Sequence, residues 1–125
     1  MAKLTLFIGA TAGLLGVCLG AFGAHALRSR LDDYAMGVFE TAVQYQFYHA
    51  LALLAVGVLL VNQPSSLLLK SSAWLFTAGV LVFSGSLYVL SFTGIKWLGA
   101  VTPVGGIGFI GGWICLMLAA LKVLD

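Results

Sequence analysis

The stretch Glu40-Thr41-Ala42-Val43-Gln44-Tyr45-Gln46-Phe47-Tyr48-His49 decides how the chain is read. It is followed by only 12 apolar residues, Ala50 to Val61, before Asn62, Gln63 and Pro64. A helix that crosses a bilayer needs roughly 20 residues. The crossing is complete only if Thr41 to His49 also lie at membrane depth. Polar side chains in hydrocarbon are costly unless something pairs with them. The rest of the chain must therefore supply partners for this run.

Composition sets the class. Of 125 residues, 62% are hydrophobic and 8% charged, against about 25% charged in a soluble domain. One compact unit, residues 1–125, is expected, with no linker long enough to separate one domain from another. The net charge of +2 is scattered, and six basic residues without a cluster exclude a nucleic-acid role. Cys18 and Cys115 sit in apolar runs with no metal-ligand spacing and read as buried free thiols. No disulfide is expected between them, because their depths differ by ~7 Å on antiparallel helices.

Working outward, four segments have spanning length: about 4–27, 41–61, 73–92 and 103–124. Lys3, Arg28, Arg30, Asp32, Asp33, Lys70, Lys96, Lys122 and Asp125 fall at ends or connections, leaving Glu40 at the edge of a span. Lys3 and Ala24-His25-Ala26 carry a weak signal-peptide pattern. The apolar run exceeds the roughly 7–15 residues of a signal core, so it is read as a retained span. The fold expected is an all-α integral membrane protein, an antiparallel bundle of four transmembrane helices. Lys and Arg divide evenly between the two ends, so the charge rule gives no orientation. Side A denotes the end bearing both termini, side B the end bearing the first and third connections.

Glycines recur on the first segment at Gly9, Gly13, Gly16, Gly20 and Gly23, a seven-residue repeat that forms a seam. The fourth segment repeats it with Gly105, Gly108 and Gly112, continued by Cys115 and Ala119. Small residues on a seam let helix backbones approach closely, within the chain or between subunits. In the first connection, Ser29 is a candidate helix cap with Asp32 at its third position. Thr102-Pro103 reads as the cap and first residue of the fourth helix. The short second connection makes the second and third helices antiparallel neighbours.

At about 100° per residue, Glu40, Gln44, Tyr48, Thr41, Tyr45 and His49 cover half the circumference of the second helix, leaving Gln46 awkwardly on the other half. On the third helix Thr77, Ser84, Tyr88 and Ser91 share a stripe. His25 closes the first helix and Thr102 opens the fourth at the same side. The strongly polar groups thus gather in the side-B half, over an almost wholly apolar side-A half. His25, Glu40, Gln44, Tyr45, Tyr48, His49, Ser84, Tyr88 and Thr102 form a candidate polar layer. His49 is expected to be neutral and bonded to Ser84 or Tyr88. His25 is expected to turn toward Glu40, with the first seam against the fourth helix or another subunit.

Several blocks carry a family resemblance: Gly20-Ala21-Phe22-Gly23-Ala24-His25, Tyr45-Gln46-Phe47-Tyr48-His49, Phe83-Ser84-Gly85-Ser86-Leu87-Tyr88, Thr102-Pro103-Val104-Gly105-Gly106 and Gly112-Trp113. Together they make the chain resemble the YgdD-like family of small bacterial inner-membrane proteins, which share a domain of unknown function. The resemblance implies four spans and an inner-membrane address, and no catalytic or binding residue.

Two function classes follow from the residues. One is a binding or transport element whose layer takes a small polar solute, a proton or a lipid headgroup. The other is a structural or accessory subunit that packs through its glycine seams. An enzyme is not expected: no acid partners His49 beside Ser84 or Ser86, so no catalytic set is assigned. Nor is a cofactor expected, and the depths and angles of His25, Glu40 and His49 disagree with a shared metal. The expected partners are the lipid bilayer and either further copies of the chain or another membrane protein.

Overall fold

The computed structural model describes residues 1–123. The expected end of the fourth span at Leu124, and Asp125, lie outside the described residues. Four helices account for the fold: α1 (Ala2–Leu27), α2 (Asp33–Asn62), α3 (Leu67–Thr93) and α4 (Leu98–Val123). All four are long and apolar enough to cross a membrane, and no strand occurs among the described residues.

The ends follow local chemistry. Asp32, not Ser29, caps α2, its carboxylate accepting the Ala35 N–H at 2.8 Å. Ser29 is held in the turn after α1, where the Leu27 carbonyl accepts the N–H of Arg30 and Leu31. A carboxylate also suits the positive end of the helix dipole. Ser66 caps α3, which begins at Leu67, six residues before the expected span. Gly94 ends α3 at φ +69°, a left-handed conformation that glycine adopts without steric penalty. The turn from Ile95 to Trp97 then starts α4 at Leu98. Thr102 is therefore inside the helix rather than its cap, and Pro103 lies within it.

α1 lies along α2, and the contacts rise on one helix as they fall on the other. Gly57 meets Leu6, Gly9 meets Leu53, Gly16 meets Phe47, Gly20 meets Val43 and Gly23 meets Phe39. At Gly9 the approach is backbone to backbone: a Cβ there would lie 3.1 Å from the Ala50 carbonyl oxygen and the Leu54 nitrogen. The glycines of α1 thus face α2, not the fourth helix or another subunit as expected. On α4, Gly105 abuts the backbone of Phe83, Gly108 the carbonyl of Leu75, and Gly112 the ring of Phe76.

α2 is central. It buries Phe39, Ala42, Gln46 and His49 at steps of three and four, and then the wider set Ala50, Ala52, Leu53, Val56, Gly57 and Leu60. Toward side A the core joins Leu53, Val56 and Leu60 to Leu69, Ala73, Phe76 and Phe109. Toward side B it joins Ala42 to Leu87 and Leu90. Two helices carry a π turn, at Gly23–Leu27 in α1 and Val80–Ser84 in α3. Such a turn holds one extra residue and swings the following side chains around the axis.

Candidate functional site

The buried face of α2 brings two polar side chains into the protein, Gln46 and His49, each under a tenth exposed. Gln46 reaches two neighbours. Its Nε2 donates to the Ala12 carbonyl of α1 at 2.9 Å, and its Oε1 accepts the Tyr88 hydroxyl of α3 at 2.6 Å. Gly16 lies beside this pair: a Cβ there would crowd the Phe47 ring at 3.2 Å and stand in ordinary contact with the Gln46 amide at 3.7 Å. One turn away, Ser84 at the end of the α3 π turn donates to the Ala42 carbonyl at 2.8 Å. One amide and two hydroxyls therefore tie α1, α2 and α3.

His49 faces the other flank. Its Nδ1 lies 2.7 Å from the Tyr45 carbonyl, and its Nε2 lies 3.1 Å from the indole nitrogen of Trp113 on α4. A carbonyl only accepts and an indole N–H only donates. Both contacts are hydrogen bonds only in the neutral Nδ1–H tautomer, which we assign. The ring stacks on Phe109 with centroids 3.6 Å apart and planes 7° from parallel. Phe76 lies 5.4 Å from it, and Tyr45 stacks at 6.2 Å. The imidazole is one plate in an aromatic packing that fills the space between α2 and α4. The expected bond from His49 to Ser84 or Tyr88 is absent, because those hydroxyls serve Ala42 and Gln46.

α3 and α4 share two further ties. Ser86 and Thr102 hydroxyls stand 2.6 Å apart, and Ser72 donates to the Gly112 carbonyl at 2.9 Å. Ser72 and Thr5 are buried toward side A, so the polar groups are not confined to the side-B half. Thr5 Oγ1 is buried without a hydrogen-bond partner among the described residues.

The other expected members of the layer point elsewhere. Glu40, Gln44 and Tyr48 are exposed, as is His25. Tyr45 is 38% exposed and spreads over Phe83 and His49. The arc centred on Glu40 and Gln44 is therefore the outer face of α2, and the face through Gln46 is the inner one. A carboxylate near a helix start reaches headgroups at small cost, whereas an amide donates and accepts and so can serve two neighbours at once. The pairing of His25 with Glu40 does not form. The glycine seam takes the face toward α2, so His25, about 160° around α1 from it, turns outward. A groove of about 190 Å³ lies beside this contact, lined by Arg28, Glu40 and Gln44 among others. No group of three or more His, Cys, Asp or Glu able to hold a metal occurs among the described residues. Cys18 and Cys115 are free, but Cys18 is exposed and Cys115 half-buried, not the buried thiols expected.

The sequence reading missed Gln46 and Trp113. Gln46 was legible as the residue continuing the three-and-four spacing from Phe39 and Ala42 to His49. Trp113 stands four residues after Phe109, as His49 stands four after Tyr45, which places each pair on one helix face.

Four apolar helices tied by buried side chains define a multi-pass helical membrane protein. Residues 19–106 match the family described as "Protein of unknown function (DUF423)", and the chain belongs to that family. It is 46% identical over 120 residues to a UPF0382 membrane protein of Staphylococcus aureus (strain bovine RF122 / ET3-1), covering 96% of this chain and 97% of that one. The UPF0382 membrane protein YwdK of Bacillus subtilis (strain 168) is 46% identical over 122 residues, 98% of this chain and 99% of its own. No solved structure matches.

Proposed function

We propose that the chain is a single-domain accessory protein of the bacterial inner membrane, an antiparallel four-helix bundle whose buried polar groups are structural ties. The names of its relatives support a membrane address, and the resemblance to the YgdD-like family supports the inner membrane. The faces through Gly9, Gly16 and Gly23 and through Gly105, Gly108 and Gly112 are the close-packing seams of the bundle. One observation carries the reading: the Gln46 amide is engaged on both its oxygen and its nitrogen by neighbouring helices. Ser84 and His49 are likewise engaged within the protein. A layer that handled a solute or a proton would keep such groups free toward a water-filled path.

The binding reading has one observation in its favour, the side-B groove with Arg28 on one wall and Glu40 and Gln44 on the other. It concerns a lipid headgroup at the surface rather than a solute in the core. Proteoliposomes carrying an internal pH dye test the main proposal. The expected result is proton leakage equal to that of empty vesicles under an imposed gradient. Protein-dependent leakage abolished by Gln46→Leu would contradict it.

A further inference from the structure

The side-B groove beside the contact of Gly23 with Phe39 carries charge of both signs. Arg28, just past the end of α1, stands on one wall, and Glu40 and Gln44 of α2 stand on the other. All three side chains are exposed. Nearby Thr41 closes onto its own helix, its hydroxyl donating to the Gly37 carbonyl. Arg28, Glu40 and Gln44 make no such bond, and no ion pair, among the described residues. α2 has 30 residues, a length of about 45 Å against ~30 Å of hydrocarbon and about 40–45 Å with the headgroup layers. Centred in a bilayer, its first ~7 Å lies among headgroups. Glu40, about 10 Å from Asp33, then stands at the boundary with the acyl chains, and Gln44 lies one turn deeper. Arg28 stands outward of both, roughly 7 Å beyond the level where Gly23 meets Phe39.

Side chains on a helix tilt toward its N-terminus, which for α2 is side B. Glu40 and Gln44 therefore lean outward, toward the level of Arg28. From the headgroup layer inward the groove offers a guanidinium, a carboxylate and an amide. A phospholipid with a primary amine in its headgroup carries a matching set. Its phosphate accepts from the guanidinium, its ammonium donates to the carboxylate, and a glycerol ester carbonyl accepts from the Gln44 amide. An anionic headgroup without an amine would set its charge beside Glu40. A quaternary ammonium has no N–H to donate.

We propose that this groove binds a phospholipid through a primary-amine headgroup, with Arg28 on the phosphate and Glu40 on the ammonium. The proposal rests on the headgroup reading of the groove and adds the amine to it; the leakage test above does not bear on it. The test is native mass spectrometry of the full chain, delipidated in detergent and titrated with phosphatidylethanolamine, phosphatidylcholine or phosphatidylglycerol of identical acyl chains. Phosphatidylethanolamine is expected to occupy one site per chain, with about fivefold preference over phosphatidylcholine, the scale of one ion pair near a surface. Because the headgroup itself is varied, this comparison needs no mutant. Glu40→Gln should abolish the preference while keeping phosphatidylcholine bound, and Arg28→Gln should weaken both lipids alike. Arg30→Gln, a cation that does not line the groove, should change neither. Phosphoethanolamine without acyl chains should not compete at the same concentration. Equal occupancy by the amine and trimethylammonium lipids, a preference that survives Glu40→Gln, or competition by the free headgroup would overturn the proposal. Preferred binding of phosphatidylglycerol that depends on Arg28 would overturn the amine and leave the headgroup reading standing, whereas no bound phospholipid would overturn both.

Discussion

His49 illustrates what a single residue does in this setting. An imidazole among Phe76, Phe109 and Trp113 is acceptable because both ring nitrogens have partners, the ring stacks on Phe109 and Phe76 lies tilted against it. Replacing it with Phe keeps a stacked ring but leaves the Trp113 N–H without its acceptor. His49→Phe is expected to lower stability by about 1 kcal/mol, the scale of polar contacts between membrane helices. Combined with Trp113→Phe, the loss should fall short of the sum of the two single losses. Additive losses in reversible detergent unfolding would argue that the Trp113 contact contributes nothing. Ser84→Ala should leave the His49 effect unchanged, since the two groups share no bond.

At the scale of the helix, glycine position decides the sign of a substitution. Gly9→Ala pushes a methyl toward the backbone of α2, so α1 must move away from Ala50 and Leu54. Gly37→Ala meets nothing and gains helix propensity, about 0.5–1 kcal/mol. Opposite shifts in thermal midpoint are expected, down for Gly9→Ala and up for Gly37→Ala. Equal shifts would contradict the close approach of α1 to α2. Gly94→Ala places a methyl at φ +69° and should destabilise the end of α3 by about 1 kcal/mol. The sequence made the glycine repeats legible but not the helix that each repeat would face. Spacing gives the phase of a stripe along its own helix; the partner depends on how all the stripes close together. Rotation from Gly9 placed His25 about 160° from the seam; the seam takes the α2 face and His25 turns outward, so the choice of neighbour failed rather than the rotation. Helix ends were misread where two acceptable caps lay close together, as with Ser29 and Asp32.

For the whole molecule, the class was legible because length and polarity in a bilayer leave few alternatives. A run of roughly 20 apolar residues can satisfy its backbone only as a helix, and each expected span overlaps one of the four helices. The inner face of α2 was harder to read. Ranking side chains by polarity favoured Glu40, Gln44 and Tyr48, yet those groups tolerate the outside, where headgroups or lipid-exposed rings accommodate them. Burial instead selected Gln46, which can be fully satisfied by a carbonyl and a hydroxyl, and that depends on where Ala12 and Tyr88 fall in space. Gln46 is therefore the residue that ties α1, α2 and α3 together. The most direct test is reversible unfolding in mixed micelles of the wild type, Gln46→Leu, Tyr88→Phe and the double variant. Gln46→Leu is expected to lose about 1–3 kcal/mol, and Tyr88→Phe to add almost nothing once Gln46 is gone. Gln46→Leu as stable as the wild type, with Tyr88→Phe unchanged by its presence, would contradict the account.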